Sequence, residues 1–354
     1  MKTRQQNITL IAASVVMLIL IFDSKTAFIA AQEGLELCIK TVVPSLFPMI
    51  FLSSFLTGRI SESAGLAFKP AERLIGLPAG STGLYLTGLL GGYPIGAKCV
   101  ADSFYSGAIS KTAASHALRF INNAGPSFIF GICSLMFSTR IAIWCIWLIQ
   151  ILSSIITGIL MKDNSDNSIK PTTTRNIQKK NLLTSSLLAM ASICVWVILF
   201  RVMLGFMQRW ILWLFPSVIQ VLVSGVFELT NGACMLATIP DESVRFVICC
   251  MLLSFGGICV VMQTKTVISG LPILPYIKGK AVQTLISGCI SITLSTILFP
   301  NMYFSNHSFW QIFSCFALLF LILRRLGIAF FKKMVYNPFR NQNKRYIYAV
   351  SKEN

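Results

Sequence analysis

Apolar stretches of about 20 residues alternate along this chain with short polar or glycine-rich interruptions. An apolar stretch of that length crosses the hydrocarbon core of a bilayer as an α-helix. The pattern predicts an all-α polytopic membrane protein with about eight to ten apolar segments. Clear spans are predicted at about 8–30, 35–57, 141–161, 182–204, 282–300 and 309–326.

Four of the polar interruptions fall inside apolar segments, two in each half of the chain. The first half contains GGYPIGAK at 91–98 and INNAGP at 121–126, and the second half contains ELTNGA at 228–233 and SFGG at 254–257. Irregular backbone is tolerated at membrane depth only where protein or a water-filled cavity covers it. Paired interruptions in corresponding places are typical of a transporter binding site.

The two halves carry the same order of segments. Span, interrupted module and span lie at 35–57, 80–137 and 141–161, and again at 182–204, 214–277 and 282–300. The flanking charges run in opposite directions, which predicts two inverted-topology repeats with interrupted or re-entrant helices. The predicted divisions are a signal-anchor helix 1–34, a first repeat 35–161, a basic linker 162–181, a second repeat 182–304, a last transmembrane helix 305–330 and a basic tail 331–354.

Composition and charge agree with a membrane protein. Only 12% of the residues are charged, against about 25% in soluble domains. The net charge of +18 comes largely from basic residues before the first span, in the linker and in the tail. This is the positive-inside pattern, which predicts that both termini are cytoplasmic and argues against nucleic-acid binding. By the same rule Lys278 and Lys280 are assigned to the cytoplasmic side.

The interruptions also carry the side chains that could bind a solute. A broken helix exposes N–H groups at one end and C=O groups at the other, which attract anions and cations respectively. The neutral polar residues there are Asn122, Asn123, Asn231 and Gln263.

Two charged residues, Lys98 and Glu228, lie in the same interruptions. Glu228 has two interpretations: a ligand or protonatable switch, or a carboxylate paired with Lys98, Arg201 or Lys265. Lys98 either binds solute or reaches an interface. Close helix packing explains Gly256 and Gly257 almost as well as a binding role.

Enzyme chemistry and metal binding find no support in the sequence. The two histidines have no evident nucleophile or acid partner, and the 11 cysteines contain no CxxC pair. We expect no catalytic residues, no metal ligands and no cofactor.

The motifs GLLGGYPIGAK, FINNAGPSFIFG, ELTNGA and LLSFGGICVVMQT resemble the YlbJ-type sporulation integral membrane proteins. Those proteins belong to the wider nucleoside-recognition, or gate, domain group, which also occurs in nucleoside and ferrous-iron transporters. The resemblance covers about residues 35–300 and implies a multi-pass protein of the bacterial inner membrane with a transporter-like gate fold and a role in spore cortex formation. The candidate substrate-binding positions are Gly92, Tyr93, Pro94, Gly96, Lys98, Asn122, Asn123, Gly125, Pro126, Glu228, Asn231, Gly232, Gly256, Gly257 and Gln263.

Two functions are consistent with these observations. In the first, the repeats move or bind a small polar solute by alternating access. In the second, the protein is a non-transporting membrane scaffold for a sporulation complex. Besides the lipid bilayer, the partners that these functions allow are a small polar solute, a coupling ion, a second copy of the chain and other sporulation proteins.

Overall fold

The computed structural model describes residues 14–52, 69–78, 80–162, 182–268 and 270–300. These residues form helices and turns, with no strand among them, which confirms the predicted all-α class. Five of their helices are long and apolar enough to cross a membrane. Two shorter apolar helices, Pro126–Met136 and Ser217–Phe227, accompany them. The predicted span 309–326, the tail and linker residues 163–181 lie outside the described residues.

The chain divides into two units, Met1–Ala27 with Ser305–Asn354, and Phe28–Phe304. Of the first unit, residues 14–27 are described, and they are helical apart from a turn at Asp23. Every site discussed below lies in the second unit.

The first long helix, α1, runs continuously over Ser24–Leu52. It includes residues 31–34, where the sequence led us to expect a connection between two spans. The one helix-weakening residue there is Gly34, and a single glycine costs only about 1 kcal/mol. Gly34 instead allows close packing, since an added Cβ would lie 3.1 Å from the Arg201 Cβ. A wide π-helical turn at Cys38–Val42 precedes Pro44 and accommodates its missing N–H.

A short helix, α2, spans Lys69–Ile75. The Glu72 carboxylate accepts hydrogen bonds from the Gly80 N–H at 3.0 Å and the Thr82 N–H at 2.7 Å. It thereby accepts from N–H groups at the start of the next helix, which have no carbonyl partner within that helix.

Each half then contains two interrupted helix pairs followed by a long helix. The first half comprises α3 (Thr82–Gly91), α4 (Ile95–Tyr105), α5 (Lys111–Ala117), α6 (Pro126–Gly131) and α7 (Arg140–Leu160). The second comprises α8 (Leu182–Trp210), α9 (Ser217–Phe227), α10 (Leu229–Met235), α11 (Glu242–Phe255), α12 (Gly257–Val267) and α13 (Leu274–Leu298). Helix α1 precedes these helices in the first half as α8 does in the second, and the predicted repeat stays a prediction. The direction of each half across the membrane stays a prediction.

The centre of the second unit is α11, whose residues are all buried from Phe246 to Phe255. It packs against α13 and α7, the final long helices of the two halves. The interrupted helix α11 of the second half therefore packs against α7 of the first half.

Candidate functional site

In the first half the two interruptions cross at glycines. A Cβ added to Gly92 would lie 2.9 Å from the Gly125 backbone nitrogen, and one added to Gly96 would lie 2.9 Å from the Ile121 carbonyl oxygen. Gly92 also has φ of +76°, which L side chains rarely adopt. Glycine is thus required here so that two backbones can meet.

The second half is built in the same way. A Cβ on Gly232 would lie 2.1 Å from the Gly225 Cα, and one on Gly257 would lie 2.9 Å from the Gly225 carbonyl oxygen. The interruption between α9 and α10 therefore crosses the one between α11 and α12. Close packing explains these glycines fully.

Asn122 connects the first crossing to the second half. Its Oδ1 accepts from the Ala97 N–H in the first turn of α4 at 3.2 Å, and its Nδ2 donates to the Thr264 Oγ1 on α12 at 3.0 Å. The side chain is fully buried. One carboxamide therefore caps a broken helix and joins the two halves.

Asn123 makes a second connection between the halves. Its Nδ2 donates to the carbonyl oxygens of Phe120 and Ile121, at 2.7 and 3.3 Å. Its Oδ1 accepts from the Lys280 Nζ at 3.0 Å and from the Gln283 Nε2 at 2.8 Å. The backbone contacts fix the amide so that its oxygen points at α13.

Lys280 is the unexpected member of this group. It is fully buried, and its Nζ also donates to the Gln283 Oε1 at 2.8 Å. The Lys280 Nζ faces the rings of Tyr93 and Tyr276, 5.2 and 5.9 Å from their centroids. No described Asp or Glu comes within 4 Å of it.

Tyr93 inserts between the halves as well. Its hydroxyl donates to the Leu253 carbonyl oxygen at 2.8 Å, just before α11 is interrupted. Its ring lies against Gly256, where an added Cβ would be 3.1 Å from the Tyr93 Cζ. We call the interhalf group the amide–lysine cluster; its members are Tyr93, Asn122, Asn123, Thr264, Lys280 and Gln283.

Polar residues of α7 bond to α11 and to the cluster member Gln283. The Gln150 Nε2 donates to the Cys250 carbonyl oxygen at 3.1 Å and to the Ser254 Oγ at 3.0 Å. The Ser153 Oγ lies 3.4 Å from the Gln283 Nε2. These bonds orient the amides without adding charge.

Glu228 lies outside this group and caps its own helix. Its carboxylate accepts from the N–H groups of Thr230 at 3.0 Å and Asn231 at 2.7 Å, and from the Asn231 Nδ2 at 2.7 Å. It pairs with none of the three cations considered from the sequence, since Arg201, for example, binds Glu33 and Gln208. A carboxylate with three such donors is well satisfied as a helix cap.

The other predicted residues are also placed by the structure. Lys98 forms an ion pair with Asp102 one turn along α4, at 2.9 Å. Gln263 bonds to the Cys259 Sγ on its own helix at 3.4 Å. Gly125 and Pro126 begin α6, and Pro94 precedes α4. Of the predicted side chains with hydrogen-bonding groups, Tyr93, Asn122 and Asn123 join the two halves.

The structure separates Lys278 and Lys280, which the sequence placed together, while the side of the membrane on which they lie stays a prediction. Helix α13 begins at Leu274, earlier than the predicted 282, so both lysines are helical. Two positions along a helix are about 200° apart, so Lys278 is exposed while Lys280 is buried.

A signal for Lys280 was present in the sequence. The buried face of α13 is a polar stripe that recurs every three or four residues, the spacing of one helix face. It consists of Tyr276, Gly279, Lys280, Gln283, Thr284, Ser287, Gly288, Ser291 and Ser295. In a membrane helix such a stripe indicates the face turned toward protein.

The chain is similar to a curated membrane protein. It is 26% identical over 333 residues to the sporulation integral membrane protein YlbJ of Bacillus subtilis, and the match covers 81% of each chain. The similarity supports a place for the chain among the YlbJ-type proteins. The resemblance seen in the motifs is thereby confirmed. Neither a protein-family model nor a solved structure matches the chain, and the wider gate-domain assignment stays a prediction.

Proposed function

We propose that this protein is a sporulation-associated membrane protein that binds a small polar solute at the amide–lysine cluster and moves it by alternating access. The sporulation role is taken from the YlbJ similarity. The transport role is supported by interrupted helices that cross in each half, the arrangement in which transporters place solute sites.

The observation that carries the proposal is the buried lysine between the halves. An ionisable group inside a membrane protein is costly, and such groups mark solute or ion pathways. Lys280 bonds to Asn123 of the first half and Gln283 of the second. A solute that takes over these bonds would change the contact between the halves, which is what alternating access requires.

Thermal unfolding of the purified protein with a panel of nucleosides, nucleobases, amino acids, organic acids and divalent ions tests this function. A solute at 100 times its dissociation constant should stabilise the protein by about 2.7 kcal/mol. The Asn123→Ala variant should lose the shift and Lys278→Gln, on the exposed face of α13, should keep it. A shift that survives in Asn123→Ala would place the site elsewhere.

The scaffold alternative is tested in a spore-forming host in which each variant replaces the native protein. Loss of spores with Asn123→Ala at normal membrane levels supports the solute site. Normal sporulation with Asn123→Ala, and loss after truncation at Arg340, would support a scaffold instead.

A further inference from the structure

The hydrogen bonds at Lys280 do not match those of an ammonium group. An ammonium has three N–H donors, but its Nζ has two acceptors among the described residues, the Asn123 Oδ1 at 3.0 Å and the Gln283 Oε1 at 2.8 Å. A neutral amine has two N–H groups and would be satisfied by these two. The protonated form therefore has one N–H for which the described cluster provides no oxygen.

The charge at this position is also uncompensated. Buried charges are normally paired, because an isolated ion loses its hydration without replacement. The Tyr93 and Tyr276 rings provide some cation–π attraction but no negative charge. A negatively charged acceptor would therefore supply both the hydrogen bond and the counter-charge that protonated Lys280 lacks in the described cluster.

No other described charged group near the cluster fills this role. On α5, the His116 ring bonds to the Ile75 carbonyl oxygen, and the Arg119 side chain bonds to the Met161 carbonyl oxygen. On α4, Lys98 is paired with Asp102. The titratable groups that face the Lys280 amine are the phenols of Tyr93 and Tyr276.

We propose that the solute carries an anionic group that binds the Lys280 Nζ, and that one proton is taken up from water onto this amine as the anion binds. The anion supplies both the third acceptor and the counter-charge, so a singly charged ligand and the ammonium are together neutral. This inference rests on the proposed function and adds to it the substrate class and the coupled ion.

The test is isothermal titration calorimetry of the purified protein with matched probes that differ in charge. The pairs are succinamate and succinamide, and nicotinate and nicotinamide, in which the anion carries a single charge near neutral pH. Titrations in buffers of different ionisation enthalpy give the number of protons taken up. We expect an anionic member to bind at least about 30-fold more tightly than its neutral partner, which is about 2 kcal/mol, the low end for a buried charge pair. About one proton should be taken up with each anion bound.

Three variants test the role of the amine. Lys280→Gln should lose both the preference for the anion and the proton uptake, whereas Lys278→Gln should retain both. Asn123→Asp places a carboxylate beside the lysine and should abolish anion binding even if Lys280→Gln does not fold. Its thermal unfolding should remain cooperative, because the new carboxylate pairs with Lys280.

The outcomes separate this inference from the proposed function. If neutral probes bind as tightly as anionic ones, or if Lys280→Gln keeps the anion preference, this inference is overturned and a solute site remains. If no probe of either charge binds the wild-type protein, both are overturned.

Discussion

In the first half, an N–H group in the first turn of α4 is satisfied by Asn122, which belongs to the other interruption. In the second half, α10 is capped by Glu228, the residue that immediately precedes it. The first solution makes one helix end depend on a distant segment and leaves an amide bonded to Thr264 on the opposite half. The second solution is local. Equivalent interruptions therefore have different roles. The one at Asn122 connects the two halves, and the one at Glu228 stabilises its own helix.

The largest expected effect would break the close contact between α9 and α10, on which the crossing in the second half depends. Gly232→Ala places a Cβ 2.1 Å from the Gly225 Cα, so the two backbones have to separate at a cost of about 3 kcal/mol or more. We expect little folded protein by size-exclusion chromatography. The control is Gly131→Ala, where no atom lies within 4 Å of the added Cβ. Normal folding of Gly232→Ala would show that the crossing is not tightly packed.

Removal of the local cap should have the next largest effect. Glu228→Ala leaves the buried N–H of Thr230 and the N–H of Asn231 without their acceptor, and we expect about 2–3 kcal/mol of lost stability. Glu228→Gln keeps an acceptor oxygen and should lose less. Chemical unfolding in detergent measures both. If either variant folds with wild-type stability but fails to bind solute, Glu228 is a ligand and the two halves are more alike than we conclude.

Removal of the Asn122 side chain, which caps α4 from the other interruption, should lower stability less than removal of Glu228. It should weaken solute binding more. Asn122→Ala frees one buried N–H of α4, for which we expect about 1–2 kcal/mol. Because the bond to Thr264 is also lost, solute binding should weaken. Gln263→Ala is the comparison, since Gln263 bonds within its own helix. Equal loss of binding in the two variants would contradict the special position of Asn122.

The smallest effect is expected at Lys98. Its ion pair with Asp102 is a helical i,i+4 pair in which the Asp102 side chain is 65% exposed. Such pairs contribute about 0.3–0.5 kcal/mol. Lys98→Ala should therefore leave unfolding and solute binding almost unchanged, unlike Lys280→Gln. A large loss of solute binding in Lys98→Ala would show that Lys98 is a second cation of the binding site.

Much of the fold was predictable because its signals are local. The interruption at Asn122 and Asn123 was recognised from two adjacent amides before Gly-Pro in an apolar setting. Ser110 directly precedes α5 and its side chain accepts from the Ala113 N–H at 3.1 Å, a local cap of the kind that serine favours. The continuity of α1 through Gly34 was missed because the packing of that glycine against α8 is not visible in the local pattern.

The sequence by itself determined the helical membrane class, the four interruptions and the residue types within them, since each depends on the hydropathy or backbone chemistry of neighbouring residues. Only the tertiary structure decided which charged residues lie at contacts between the halves, Lys280 among them. Lys98, Glu228 and Lys280 are all charged residues close to interruptions or helix ends, but what each does depends on its partner. The partner of Lys98 is one turn away, whereas Lys280 bonds to Gln283 on its own helix and also to Asn123, 157 positions away. A local pattern contains the first kind of contact and not the second, so the burial of Lys280 had to come from the packing of α13 against the first half.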